Sequence, residues 1–193
     1  LVLSKHPFMK LKQSLMVIMG LMYMTSAMAQ SPRTVSLNKA LKFNLLGPFI
    51  GSLSIQYESK INKDASLVFT GNYFKGQSDQ GYNDITGFGA CVEYRYYGGN
   101  ADMDGFYFQP YARYQYYKDT KQVDTDATIP GIGLLFGYQK RIVKNIIVDA
   151  YYGPAYNFGS IRDAGNSVSA RDIPPIVTGY WMRGGISIGM LFN

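Results

Sequence analysis

Histidine is all but missing from this chain. His6 is the only one, and it precedes a stretch that reads as an export signal, so the exported protein is expected to have none. Ser-His hydrolysis, His-dependent acyl transfer and Asp-His proteolysis are excluded as usually built, and zinc loses its commonest ligand. Cysteine is as scarce. Cys91 alone rules out an intrachain disulfide framework. With no histidine to activate it, it reads as a small residue on a polar strand face rather than a nucleophile. Charge is sparse too, at 17% of residues against about a quarter in ordinary soluble domains. No helical period competes beyond the N-terminal stretch. No catalytic residue, metal or cofactor is expected.

That N-terminal stretch has the three parts of a secretory signal in order. Met9, Lys10 and Lys12 form a basic flank, the run from Leu15 to Met24 is apolar, and Ala27-Met28-Ala29 is a small-x-small cleavage site. The apolar run is too short for a comfortable membrane helix. Residues 1–29 are therefore read as a signal peptide. Its basic flank fits best from Met9, which makes 1–8 an upstream extension. Residues 30–38 are a short N-terminal segment, and 39–193 the folded domain. Cleavage removes Lys5, Lys10 and Lys12 from 19 basic residues, leaving 16 against 13 acidic ones, so the net charge falls from +6 to +3. The basic balance comes partly from the export signal, and a nucleic-acid partner is not expected.

What the chain does have is 21 Gly, 17 Tyr and 11 Phe, a composition suited to many strands and turns. Apolar and polar residues alternate in eight stretches, centred on Phe43, Ile55, Phe69, Val92, Ala112, Leu134, Val148 and Ile188. Each is near the length of a tilted membrane-spanning strand. The connections Ser59–Ala65, Gly98–Asp104 and Gln139–Lys144 are short. Lys75–Ile85, Lys118–Ile129 and Asn157–Val177 are longer and polar, and only the first connection, at Gly47-Pro48, breaks the rule by being short. With an even strand count, all longer loops fall on one side. This predicts an all-β, eight-stranded, antiparallel up-and-down transmembrane β-barrel.

The closing stretch YWMRGGISIGMLFN shows what is at stake. Tyr180, Met182, Ile186, Ile188, Met190 and Phe192 share one face, and Arg183, Gly185, Ser187 and Gly189 the other. A soluble sandwich would bury the first face, whereas a membrane barrel would turn it to lipid. On the second reading Lys42, Glu93, Arg95, Arg113, Asp149 and Arg183 line the interior, joined near a turn by Glu58. An eight-stranded barrel is just wide enough for side chains to fill it. These charges are expected to pair across the lumen, since an unpaired buried charge costs several kcal/mol. The network would plug the barrel or gate a thin water path. Glycines beside Arg183 would leave room for it. Tyr57, Tyr73, Tyr94, Tyr96, Tyr114, Tyr116, Tyr138, Tyr152 and Tyr180 fall on the other parity, as interfacial aromatic belts would.

Smaller features have plain readings. Pro110 and Pro154 interrupt strand patterns and predict bulges or strand margins. Asn100, Asp102, Asp104 and Gly105 imitate a calcium loop, but its twelfth position is Tyr111, where a bidentate Glu is needed. An Asx-rich turn is the reading there. Asp119, Asp124 and Asp126 read as a solvated loop tip. Tyr57, Lys60, Ile61, Lys63, Asp64 and Leu67 recur, with like residues, as Tyr138, Arg141, Ile142, Lys144, Asn145 and Val148. Hairpin duplication or convergence would each produce that.

With its signal peptide, the opening KFNLLGPFIGSLSIQYE, the two basic hairpin turns and the closing strand, the chain resembles the small outer-membrane β-barrel proteins of the OmpA-transmembrane and OmpX-like type. More narrowly, it resembles single-barrel proteins common in Bacteroidota. The resemblance covers about residues 37 to 193 through diffuse patterns. It implies a bacterial outer-membrane location, outer-membrane lipid as surroundings, and recognition of the C-terminal strand by the barrel-assembly machinery. The function implied is a non-enzymatic, structural or surface-interaction role, with a narrow or plugged pore and no specified surface-loop partner. One departure stands out: such barrels usually end on an aromatic residue, but here Phe192 is penultimate and Asn193 follows. The alternative is a secreted, lipocalin-like barrel binding an apolar ligand. A histidine-free membrane enzyme ranks last.

Overall fold

A computed structural model describes residues 37–77, 84–98, 103–119, 126–162 and 178–193. The expected signal peptide, nearly all of segment 30–38, and Asn100, Asp102 and Asp124 lie outside these residues. The strands are β1 (Lys39–Asn44), β2 (Ser52–Lys60), β3 (Ala65–Gln77), β4 (Asp84–Tyr97), β5 (Gly105–Asp119), β6 (Asp126–Val143), β7 (Ile146–Phe158), β8 (Ser160–Arg162) and β9 (Thr178–Phe192). The three residues of β8 continue β7 past Gly159 on the same neighbour, since Asn157 pairs with Gly131 and Ser160 with Thr128. With β8 counted as the end of β7, each strand runs antiparallel to its sequence neighbour, and β9 returns to β1, with Ile188 opposite Phe43 and Gly189 opposite Lys42. The result is one closed, eight-stranded, antiparallel up-and-down β-barrel. Closure pairs every strand on both sides, the device that removes the exposed edges of an open sheet, although the short β1 meets β9 only from Ser187 to Phe192.

The alternation sorts side chains between the two faces. Glu58 and Arg95 are 0% exposed, and Lys42, Gln56, Glu93, Gln109, Gln139, Asp149, Asn157 and Ser187 are equally hidden. Phe106, in contrast, is 76% exposed and Tyr180 81%, and Leu41, Ile55, Phe69, Val92, Ile132, Phe136, Ile186 and Ile188 are all exposed. The barrel is inside-out relative to a soluble domain, where charged groups are almost never fully buried and large apolar patches are rare. The buried apolar residues Ala40, Met103, Ile147 and Leu191 belong to one cluster at the short-turn end of the lumen.

Element boundaries differ from expectation at both rims. Lys75–Gln77 pairs with Asp84–Thr86, and Lys118 with Asp126, so strands run into two segments expected to be loop. Gln139–Val143 is strand as well, leaving a two-residue turn at Lys144-Asn145 and a register shift between Arg141 and Val143. The repeated basic segments therefore close turns of different length, since Ile61–Asp64 separates β2 from β3. The first connection is a single 3-10 turn, Gly47–Ile50. It ends at Gly51, with φ 74°, where a β-carbon would lie 2.3 Å from the Lys75 carbonyl oxygen. Only glycine fits that left-handed, crowded position.

The expected proline bulges are absent. Pairing between β4 and β5 lapses from Glu93–Tyr111 to Tyr96–Phe108, and between β6 and β7 from Gly133–Ala155 to Phe136–Tyr152. Each lapse lies opposite a proline, which has no N–H to donate. The register is the same on both sides of each lapse, so the sheet absorbs a missing bond without an extra residue.

Candidate functional site

Four strands each send one charge to a common point inside the barrel. Lys42 Nζ on β1 lies 2.7 Å from Glu58 Oε2 on β2 and 2.9 Å from Asp149 Oδ2 on β7. Arg95 on β4 completes the square, with Nη1 3.1 Å from Glu58 Oε2 and Nη2 3.0 Å from Asp149 Oδ2. Two cations face two anions, and all four side chains are fully buried. Neutral groups take up the remaining valences. Gln139 Oε1 accepts from Lys42 Nζ at 3.1 Å and from Arg95 Nη1 at 2.7 Å, while its own amide donates to the Met103 carbonyl at 2.8 Å. Tyr97 and Ser66 hydroxyls donate to Glu58, Tyr107 donates to Asp149 at 2.6 Å, and the Arg95 guanidinium lies 3.8 Å over the Tyr107 ring.

A second group lies toward the long-loop end. Glu93 accepts from Arg183 Nη2 at 2.9 Å, from Thr70 at 2.8 Å and from the Gln109 amide. Arg183 Nη1 is 3.6 Å from the Cys91 sulfur, and the guanidinium lies 4.6 Å over the Tyr111 ring. Arg113 departs from the expected pairing across the lumen. Its Nη2 donates to Asn157 Oδ1 at 2.8 Å, no carboxylate among the described residues pairs with it, and its buried Nε has no hydrogen-bond partner.

Every oxygen of Glu58, Asp149 and Glu93 is engaged. A general acid or base needs a lone pair or proton directed at a substrate, and these carboxylates direct theirs at one another's partners. The arrangement is a cross-brace. Removing one member of such a buried set leaves a charge uncompensated.

The sequence pattern assigned nine tyrosines to the outer face and gave no role to the lumenal ones. Tyr107, Tyr111, Tyr117 and Tyr151 point inward, and each stands opposite a glycine on the next strand: Gly137, Gly133, Gly87 and Gly185. A β-carbon at Gly137 would lie 2.3 Å from the Tyr107 ring, and one at Gly133 2.6 Å from Tyr111. The glycines thus make room for tyrosine rings. Gly185 faces Asn44 and Tyr151, not Arg183 as expected.

The other signals have structural outcomes. Asp104 accepts from the Lys140 ammonium at 3.4 Å and from the Arg141 backbone N–H at 3.3 Å. Among the described residues no cluster has the make-up of a metal site. Outward aromatics pair at two levels. Tyr96–Phe108, Phe106–Tyr138 and Tyr57–Phe192 lie toward the short turns, and Phe88–Tyr116 and Tyr156–Tyr180 toward the long loops. From Phe88 to Tyr96 is about 26 Å along the strand at ordinary strand rise, or about 20 Å of height at a tilt of roughly 40°.

Residues 15–165 match the model of a family described as "Protein of unknown function (DUF3575)". No curated protein matches the chain.

Proposed function

The chain belongs to the DUF3575 family, and we propose that it is a non-enzymatic barrel of the bacterial outer membrane, akin to the OmpA-transmembrane and OmpX-like type. Its role is structural or surface-interacting, and its lumen is plugged. The observation that carries this reading is the inversion of the two faces. In water, a belt that includes Phe69, Phe88, Val92, Ile132, Phe136 and Ile188 would lose roughly 25 cal/mol for every Å² left exposed rather than buried. Against acyl chains the same belt is at home, and the aromatic pairs at its two margins stand where interfacial girdles stand.

The interior argues for a plug. Lys42, Glu58, Arg95 and Asp149 meet side chain to side chain, and Ala40, Met103, Ile147 and Leu191 lie beyond them toward the short turns. Water or ions would have to break a fully buried, charge-balanced set to pass. The same interior weighs against a lipocalin-like role, which calls for an apolar hollow. Cell fractionation with heat-modifiable gel migration tests the proposal. Recovery in the outer membrane, with a folded band that shifts on boiling, is the outcome predicted. Release as soluble periplasmic or culture material would overturn it.

A further inference from the structure

The lumen is not filled to both ends. Above the Glu93–Arg183 pair, on the side of the 3-10 turn and the long loops, lies a cavity of about 200 Å³. Arg113, Arg183, Asn44, Asn72 and Gln115 are among the polar residues that line it. The charge balance differs from that of the cross-brace. Lys42 and Arg95 are matched by Glu58 and Asp149, whereas among the described residues Arg113 and Arg183 share only Glu93, which pairs with Arg183. Among the described residues one guanidinium charge is left over at the cavity, and it belongs to Arg113. That side chain is held by a single bond to Asn157 Oδ1, a neutral acceptor, and its buried Nε has no hydrogen-bond partner among the described residues. A buried donor left unsatisfied costs about 1–3 kcal/mol, and a guanidinium offers a fork matched to two oxygens of one anion.

We propose that this vestibule is a binding site for a small oxyanion of the carboxylate or phosphate type, with Arg113 as its principal ligand. The Arg183 guanidinium, on β9 across the lumen, also lines the cavity, its charge matched by Glu93. The volume falls below the roughly 300–1,000 Å³ of pockets for drug-sized ligands, so the occupant is a small ion or a single terminal group of a larger molecule. The proposal holds whichever solvent surrounds the barrel, so its failure and the failure of the membrane reading are separable.

The test uses the full folded barrel in detergent micelles, titrated separately with inorganic phosphate, acetate and chloride at constant ionic strength. The arginine Nε–Hε resonances are followed by NMR. The expected result is a saturable shift of the Arg113 signal with phosphate or acetate and none with chloride. Arg113→Gln should weaken oxyanion binding in calorimetry about tenfold or more, as loss of one charge-assisted hydrogen bond implies. Lys118→Gln, a change to an exposed cation on the same strand, should leave it unchanged. An Arg113 signal that does not saturate, an equal response to chloride, or equal weakening by the two variants would overturn the proposal. Phosphate without acetate would assign the site to tetrahedral anions, and acetate without phosphate to carboxylates.

Discussion

Arg95 touches two carboxylates, two amide oxygens and one aromatic ring at once, and among the described residues no other knits as many strands together. Replacing it with methionine keeps bulk but strands Glu58 and Asp149 with Lys42 alone. Breaking a buried pair in this way typically costs about 3–5 kcal/mol. Urea unfolding of the refolded barrel should show a loss of that size for Arg95→Met, and a much smaller one for Arg113→Met, which leaves no carboxylate behind. The glycine positions make a second prediction. Gly137→Val places a branched side chain where the Tyr107 ring lies and should destabilise by about 1–3 kcal/mol, as overpacking does. Adding Tyr107→Ala should recover part of that loss. The charged members of the interior were legible because alternation fixes parity and parity fixes face. Their partners were not, because cross-lumen contacts join residues as distant as Lys42 and Asp149, and nothing local encodes which charges meet. The Tyr–Gly pairs did leave a trace. Gly133 and Gly137 stand four apart on β6, as do Tyr107 and Tyr111 on β5, but matching them requires the register.

Strands were legible where both faces are well marked and were cut short where the pattern thins. At Lys75–Gln77 and Lys118 polar residues suggest loop, yet backbone pairing continues because a closed sheet needs no apolar face to extend its ladder beyond the rim. Pro110 and Pro154 misled for a related reason: a proline removes one donor, but neighbours on both sides of the lapse hold the register. The outward faces make a depth-dependent prediction. Val92 lies on β4 midway between the aromatic levels at Phe88 and Tyr96. Val92→Arg should cost about 2–4 kcal/mol in lipid vesicles, and Tyr96→Arg should cost no more than about 1 kcal/mol from depth, beyond the loss of its ring contact. Equal costs at the two positions would contradict a lipid-facing β4.

At the scale of the molecule, the question posed by the closing strand was which face turns inward. The structure puts Arg183, Gly185 and Ser187 on the lumenal side and Tyr180, Met182, Ile186 and Ile188 on the outer side. Fold class was readable from eight alternating stretches and alternating connection lengths, because an up-and-down barrel is the one closed sheet built wholly from neighbour-to-neighbour pairing. Role was not, since a cross-braced interior serves any barrel that must be rigid. If the brace closes the lumen, planar-bilayer recordings should show no single-channel current above background, and discrete conductance steps would refute the plug. The most direct test of the central claim concerns the solvent of the outer face. A fluorescent label at Ile188→Cys, in a Cys91→Ser background, should be quenched by nitroxides on mid-acyl positions of the bilayer and protected from aqueous iodide, with a Lys63→Cys label on the short turn as the solvent-exposed control. Quenching at Ile188 by iodide, with indifference to the acyl nitroxides, would show that the apolar face meets water and would contradict the account.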